Sequence, residues 1–431
     1  MGAGYVGLAT GIGLAALGHR IELVDVRSDR IDALRAGRVP IHEPGLRGAF
    51  ADAGIRDRIS ILAAPGETPV DAVLVCVGTP MESDGRADLR QIESALRDAR
   101  HHLAAGSILV IRSTLPVGSI DRVVDWSQAP RSRIFTNPEF LRQGQALEDF
   151  LHPTRIVIGS FPEADATSLA RVEAMLRVDP AAPFLVVGIA EADLIKNGAN
   201  AFLALKLSFI NEMAALCESL GADIDTVAHG IGLDPRIGPR YLQAGFGFGG
   251  SCLPKELATL ASAGRDRGLT MHVTAAAADA NASHQQRFAD RIVVELGDPR
   301  GKKVAMLGLA FKAGTDDVRA SPALRVAELL MQTGAEVMAH DPLAGPAALQ
   351  ALPGLMIAQT PETALHGAHL AVITTEWPEY RELDWARIRD AMLEPVVVDG
   401  RRLLRGTKLT SLGFRYLTIG SPPTNDSATS A

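Results

Sequence analysis

Twice along this chain, short runs of aliphatic and β-branched residues alternate with amphipathic helical stretches, and no other feature restricts the fold as much. "IELVDV" (21–26), "AVLVCV" (72–77) and "SILVIRST" (107–114) are near-continuous apolar runs. Strands buried on both faces of a parallel sheet have this character. Between them lie segments such as "QIESALRDARHHL", apolar along one helical face. The pattern restarts with "KKVAMLGLAFK" (302–312), "AEVMAHD" (335–341), "LAVITTEW" (370–377) and "EPVVVDG" (394–400). Such alternation predicts two α/β sheets wound by right-handed crossovers. From Ala190 to Leu220 the chain has no proline and one glycine, which predicts a single long helix. A second long helical pattern, "TAAAADANASHQQRFADRIVVEL" (274–296), follows.

At 431 residues, two or three domains of about 150 residues each are expected. The boundaries read as 1–189, a central all-helical 190–298, and 299–420. The tail "SPPTNDSATSA" (421–431) has the composition of a disordered segment. A net charge of −7 with no basic block excludes nucleic acid as an expected partner. The three cysteines, Cys76, Cys217 and Cys252, are odd in number and far apart, which points to a reducing, cytoplasmic setting rather than a disulfide framework. No apolar run is read as approaching the ~20 residues of a span, and no signal peptide precedes the first motif, so no membrane partner is expected.

The chain opens "MGAGYVGLATGIGLAALGHRIELVDV", in which Gly2, Gly4 and Gly7 form GxGxxG before a helical run. Asp25 stands 18 residues after Gly7, at the end of the next strand. Glycines for the tight turn and close backbone approach, a helix N-terminus for phosphates and an acid for the ribose hydroxyls make a dinucleotide site of Rossmann type. The acid favours NAD, although Arg27 and Arg30 stand close to it. The strand that should lead into Gly2 is reduced to Met1. That strand is central in a doubly wound sheet, so its loss is expected to leave buried backbone groups unpaired and the glycine turn without an anchor. The expectation is a native start upstream, with Met1 a misassigned initiation codon.

In "GFGFGGSCLPKE" (245–256), four glycines crowd against Cys252. A lone cysteine is more often core filling than a nucleophile. Yet "GAGYVG", "TNPEFL" (136–141), "KNGANAFLALKLSFINE" (196–212), "GFGGSCLPKE" (247–256) and "LAFKAGTDDVRASPA" (309–323) occur together in this order. From residue 2 to about 405 the chain resembles the UDP-glucose/GDP-mannose dehydrogenases, which oxidise a nucleotide-sugar alcohol to a carboxylate with two NAD and one water. The resemblance implies two Rossmann-like domains joined by a long helix and a central helical domain.

It also implies roles. Cys252 would form a thiohemiacetal and then a thioester, a use of an activated thiol. Pro254 suits the first position of a helix. A helix N-terminus and Lys255 would favour the thiolate. Lys196 and Asn200, four apart on one helix face, match a pair that stabilises the oxyanion. Thr114, Glu139 and Glu256 match residues that handle the hydrolytic water. Contacts to NAD would come from Gly2, Gly4, Tyr5, Val6, Gly7, Asp25, Arg30, Thr79, Thr114, Gln143, Lys255 and Arg319. The sugar nucleotide would meet Glu139, Phe140, Leu141, Arg142 and Gln143, then Lys196, Asn200, Tyr241, Leu242, Gln243, Ala244, Gly245, Gly249 and Lys312. Arg236 matches an arginine that reaches the neighbouring subunit's substrate, so a homodimer or higher homo-oligomer is implied. No metal is expected.

Two positions depart from the family's pattern. Glu256 stands where the family usually has Asp, which moves the carboxylate by about 1.5 Å, one C–C bond. Gln143 replaces a usual Glu and removes an acceptor charge. "TEWPEYRELDW" (375–385) and "AGFGFGG" resemble the UDP-glucose branch, whereas Leu253 in "SCLPKE" resembles the GDP-mannose branch. Two other readings stay open: a two-electron NAD dehydrogenase that does not need Cys252, and a non-catalytic binder of NAD or nucleotide sugars.

Overall fold

Parallel strands with apolar residues on both faces are what the computed structural model, which describes residues 1–82 and 85–421, is built around. The expected disordered tail lies, apart from Ser421, outside the described residues. The chain divides into two compact units, Met1–Ala199 with Ala258–Thr270, and Asn200–Leu257 with Met271–Ala431. The helix Ile189–Leu220 and the helix Leu253–Arg265 each run through a boundary between them.

In the first unit β1 (Ile21–Val24) pairs in parallel with β2 (Ile59–Leu62) as a two-stranded sheet. A five-stranded sheet follows in the order β3 (Ala72–Val75), β4 (Ile108–Ile111), β5 (Ile134–Thr136), β6 (Ile156–Ser160), β7 (Phe184–Gly188). All its pairs are parallel except β5 with β6. Every residue of β4 is buried, as its unbroken apolar run requires. Among the described residues no strand pairs with β1 on the side away from β2, or with β3 on the side away from β4. The expected loss of an anchor is corrected here. Gly2 N donates to Val24 O at 2.7 Å, Cys76 N donates to Met1 O at 2.8 Å, and the Met1 ammonium donates to Leu74 O at 2.7 Å. Two residues thus hydrogen-bond to the flanking strands on both sides and hold the glycine turn. The ammonium is part-buried there, and burial pushes its pKa down.

The second unit shows the uninterrupted version of the same order. Its six strands run β10 (Met356–Ile357), β9 (Glu336–His340), β8 (Lys303–Leu307), β11 (Leu370–Ile373), β12 (Val396–Asp399), β13 (Arg415–Thr418), all parallel. This is the doubly wound order 3-2-1-4-5-6. With Met1–Gly2 counted at the place of a strand, β2, β1, β3, β4 and β5 of the first unit repeat it. One sheet face packs on the helices: Ile210, Ile224, Phe246, Phe288 and Ile292 share a core with Val304, Met306, Leu330 and Val372. The other face buries Tyr380, Trp385 and Phe414.

The long helix starts at Ile189, one residue before the expected Ala190. By length and composition it could cross a membrane, contrary to the sequence reading that no run approaches that size, although a core helix of a soluble protein passes the same test.

In the helix Tyr5–Ala16, a Cβ on Gly7 would collide with the carbonyl of Gly2, whereas one on Gly4 would meet nothing within 4 Å. We therefore expect Gly7→Ala to lower the melting temperature by several degrees, since displacing packed backbone costs about 1–3 kcal/mol. Gly4→Ala should leave it within about a degree by the same scale. Equal losses in both variants, by scanning calorimetry, would contradict this account of the turn.

Candidate functional site

The first unit assembles its polar residues at the C-terminal ends of β4 and β5, where open α/β sheets bind ligands. β5 ends at Thr136, and Asn137 N donates to Ile111 O at 2.8 Å, which ties the loop after β5 to β4. The Asn137 side chain is locked on both ends: its Oδ1 accepts from the buried Arg112 guanidinium and its Nδ2 donates to Val157 O at 2.8 Å. Glu139 follows on this pinned loop. One of its oxygens accepts from Leu141 N at 2.6 Å and the other lies 3.4 Å from Lys196 Nζ. Lys196 is 3% exposed and its ammonium also stands 5.4 Å from the Phe140 ring centroid. Downstream, Glu43 accepts from Gly144 N and Ala146 N, and Arg142 pairs with Asp149 at 2.6 Å, so the segment carrying Gln143 is held from two sides.

A small cavity of about 10 Å³ is lined by Thr114, Thr136, Asp193, Lys196 and Asn197 among others. Asp193 and Asn197 are absent from the sequence reading. The signal for them was present: Asp193, Lys196, Asn197 and Asn200 fall at i, i+3, i+4 and i+7, one face of one helix. Burial pushes the Asp193 carboxyl up to about 8.

The glycine turn fits a dinucleotide. Gly4 precedes the helix without a side-chain cap bond, and a helix N-terminus of this kind suits a phosphate. Asp25, just past β1, accepts from Ala3 N at 2.6 Å, Arg27 N at 2.9 Å and Arg30 Nη1 at 3.2 Å. A carboxylate has about four acceptor sites, so one remains for a ribose hydroxyl. Tyr5, Val6 and Gly7 open this helix, and Thr79 is buried in the loop after β3.

In the second unit the loop 241–252 is fixed residue by residue. Tyr241 has φ of 63°, a left-handed conformation that bulky side chains rarely adopt. Gly245 N donates to Asn211 Oδ1 at 2.8 Å, and Phe248 exchanges two hydrogen bonds with the Asn281 amide. Gly249 and Gly250 press on the loop after β8: a Cβ at the first would strike Ala320 O, and at the second the Phe311 ring. This is the physical reason why "GFGGSC" and "LAFKAGTDDVRASP" belong together. Lys312 and Arg319 lie on that facing loop, with Arg319 paired to Asp317 at 2.6 Å.

Cys252 is partly exposed and immediately precedes the helix Leu253–Arg265. Pro254 is therefore its second residue, not its first. Glu256 N donates to Cys252 O at 2.8 Å, closing the first turn. Glu256 is fully buried, with Lys255 Nζ 3.8 Å away. Arg236 is exposed beside Asp234. Arg401 is another residue the sequence reading missed. Its half-buried guanidinium donates to Gly247 O at 3.1 Å and to Thr374 O at 3.1 Å, and lies 4.5 Å from the Phe246 ring centroid. Its only sequence signal is "DGRR" after the strand β12. Lys196, Glu139, Thr114 and the glycine turn thus fall in the first unit, while Asn200, residues 236–256, Lys312 and Arg319 fall in the second.

Three family models match the chain in order. They are the UDP-glucose/GDP-mannose dehydrogenase family NAD binding domain over residues 1–176, its central domain over 190–283 and its UDP binding domain over 305–406. Proteins named UDP-glucose 6-dehydrogenase are similar over nearly full length. That of Rickettsia bellii is 37% identical over 98% of both chains, and that of Rhizobium meliloti 38% identical over 98% of this chain and 99% of its own. Among solved structures, a UDP-glucose dehydrogenase from Pyrobaculum islandicum superposes with a TM-score of 0.86 at 38% identity, over 97% of this chain and 96% of its own. A UDP-D-ManNAc dehydrogenase from Pyrococcus horikoshii shares the fold, with a TM-score of 0.85 at 24% identity over 97% of this chain and 98% of its own.

The raised Asp193 carboxyl gives a stability prediction. Its folded pKa lies above the unfolded value of about 3.9, so its contribution is complete below pH ~4 and is lost as pH rises through about 8. Between those limits the loss is at most about 6 kcal/mol, at 1.36 kcal/mol per unit. Asp193→Asn cannot ionise. Its melting temperature is expected to gain on the wild type steadily from pH 5 to pH 8.5. Parallel curves for the two proteins would show an Asp193 that is charged throughout.

Proposed function

The chain belongs to the UDP-glucose/GDP-mannose dehydrogenase family, an NAD-dependent oxidoreductase family, and from that premise we propose a four-electron oxidation of UDP-glucose to UDP-glucuronate through Cys252. The observation that carries this reading is the cysteine itself. It is partly exposed at the start of a helix, behind a glycine loop fixed by Asn211, Asn281 and Arg401. The helix N-terminus and Lys255 on its first turn favour the thiolate. The likeness to full-length relatives named UDP-glucose 6-dehydrogenase supports the sugar.

The residues act as follows. NAD, when bound, would supply the hydride acceptor for each oxidation. Glu139 and Lys196 lie at the sugar's reacting carbon, and the Lys196 ammonium stabilises negative charge on its oxygen, with Asn200 on the same helix face. The first oxidation leaves an aldehyde. The Cys252 thiolate adds to its carbon, giving a tetrahedral thiohemiacetal whose loss of hydride forms a thioester. Thr114, Glu139 and Glu256 hold the water that cleaves it, so the carboxylate departs and the thiolate is regenerated. Phe140, Leu141, Arg142 and Gln143, with Tyr241 to Gly245, Gly249 and Lys312, cradle the sugar nucleotide. Gly2, Gly4, Tyr5, Val6, Gly7, Asp25, Arg30, Thr79, Gln143, Lys255 and Arg319 hold NAD.

We read the chain as domains 1–189, 190–298 and 299–420 with a tail 421–431, acting in the cytoplasm as at least a homodimer. On the long helix Phe202, Phe209 and Leu216 recur every seven residues and are 62%, 45% and 49% exposed. A stripe of that spacing suits a second helix packed along it. Arg236, exposed at the second unit's surface, would then reach the neighbouring subunit's substrate.

The test is to count NADH per UDP-glucose, with GDP-mannose and other UDP-sugars in parallel. Two per sugar is expected. One would mean a two-electron enzyme, and none with any nucleotide sugar a binding protein. Cys252→Ser should lower turnover by several orders of magnitude while leaving NAD and sugar-nucleotide affinity intact, because an alkoxide is a poorer acyl leaving group; near wild-type turnover would remove Cys252 from the reaction. Glu256→Asp shortens an acid placed to hold water. Thioester hydrolysis should hold or speed up in single-turnover assays, and its loss would show a site built around glutamate.

A further inference from the structure

Asp193, Thr136 and Asn197 are 5%, 2% and 0% exposed. One oxygen of each, Asp193 Oδ2, Thr136 Oγ1 and Asn197 Oδ1, has no hydrogen-bond partner. Such atoms are few in a native core, and here the residues that carry these three line the same cavity of about 10 Å³. About that volume holds one water, which when buried makes about three hydrogen bonds. The three oxygens supply that number.

One water satisfies the hydrogen-bonding needs of all three oxygens. Asn197 Nδ2 already donates to Asp193 O at 2.8 Å, so its Oδ1 is left as an acceptor. The water has two protons to give, to Asn197 Oδ1 and Thr136 Oγ1. With a neutral Asp193 it accepts the carboxyl proton; with an ionised one it would accept from the Thr136 hydroxyl and donate to the carboxylate, an arrangement that burial of the charge disfavours. The charged groups on the surrounding elements are Lys196 and Glu191 on the same helix, Glu139 beyond β5, and Arg112 at the end of β4, which is held by Asn137.

We propose that Asp193 is a positioning residue: as a neutral acid it holds one buried water against Thr136 and Asn197, and so fixes the helical turn that presents Lys196 to Glu139. The proposal rests on the reading above, in which Lys196 stabilises the oxyanion. Burial as a neutral acid leaves Glu139 as the ammonium's anionic partner. Ionised, Asp193 would place a second negative charge in the same cavity and draw the ammonium away from the substrate oxygen.

The purified full-length enzyme tests this with two variants and two readouts. Infrared spectra of wild type minus Asp193→Asn should show a carboxylic-acid carbonyl band at pH 6 that disappears as pH rises past about 8. Wild-type kcat with UDP-glucose should fall over the same range, and Asp193→Asn, which keeps a neutral hydrogen-bonding head, should lack that alkaline limb. Asp193→Leu should lose about tenfold or more in kcat with KM for both substrates within about twofold, as misplacement of a catalytic group does. Asp193→Asn should restore kcat at pH 7 to within about threefold of wild type by the same reasoning. No acid band at pH 6 would overturn the neutral water site. A band with an unchanged alkaline limb in Asp193→Asn would overturn the positioning role. If no nucleotide sugar is oxidised, the reading of function fails, while the infrared arm still decides the water site.

Discussion

An ammonium buried to 3% exposure on a 32-residue helix is the constraint around which the first unit is arranged. Leaving such a charge alone in the interior costs several kcal/mol, so it must find an anion and hold it. Glu139 is that anion, 3.4 Å away. Its position depends on β5 ending at Thr136, on Asn137 being clamped by Arg112 and Val157, and on Leu141 N taking its second oxygen. A buried pair of this kind contributes little net stability against an apolar pair of the same volume. What it gives is a fixed positive charge in a low-dielectric pocket, where electrostatic stabilisation of a developing oxyanion is strongest.

The second unit solves a different problem. Its loop must be open enough for a thiol to reach a substrate yet rigid enough to aim it. Four glycines would leave it loose, and the structure removes that freedom with side chains from elsewhere. Asn211 and Asn281 hold backbone amides, and Arg401 ties Gly247 O to Thr374 O while lying on Phe246. Burial presses the Arg401 pKa down, but its carbonyl partners and the aromatic face compensate a guanidinium well. Rigid support around a mobile-looking motif is what a near-attack geometry requires.

Much of this was legible in the sequence, and the failures have causes. The apolar runs at 107–114 and 370–377 became strands buried on both faces, and that at 72–77 a strand buried on one face and partly buried on the other. The segments that became β2, β5, β6, β7, β10 and β13 were not read as strands; β7 in particular leaves Leu185 and Val186 exposed, so its pattern is weaker. The "QIESALRDARHHL" segment breaks into Arg90–Asp98 and Arg100–Ala104 instead of running as one helix. The glycine turn is anchored by two residues because backbone hydrogen bonds need a donor and an acceptor at the right place rather than a whole strand. Asp193 and Arg401 escaped notice for one reason: a charged residue usually marks a solvated surface, and only the packing reveals the first as buried and the second as half-buried.

The central claim is that Cys252 carries the substrate covalently between the two oxidations. Peptide mass mapping of enzyme quenched in acid during turnover with UDP-glucose and NAD addresses it directly. The account predicts a hexuronyl-nucleotide adduct confined to the peptide bearing Cys252, absent when NAD is omitted and absent in Cys252→Ser. Turnover to the carboxylate with no adduct on that peptide, under a quench fast enough to catch product formation, would contradict it.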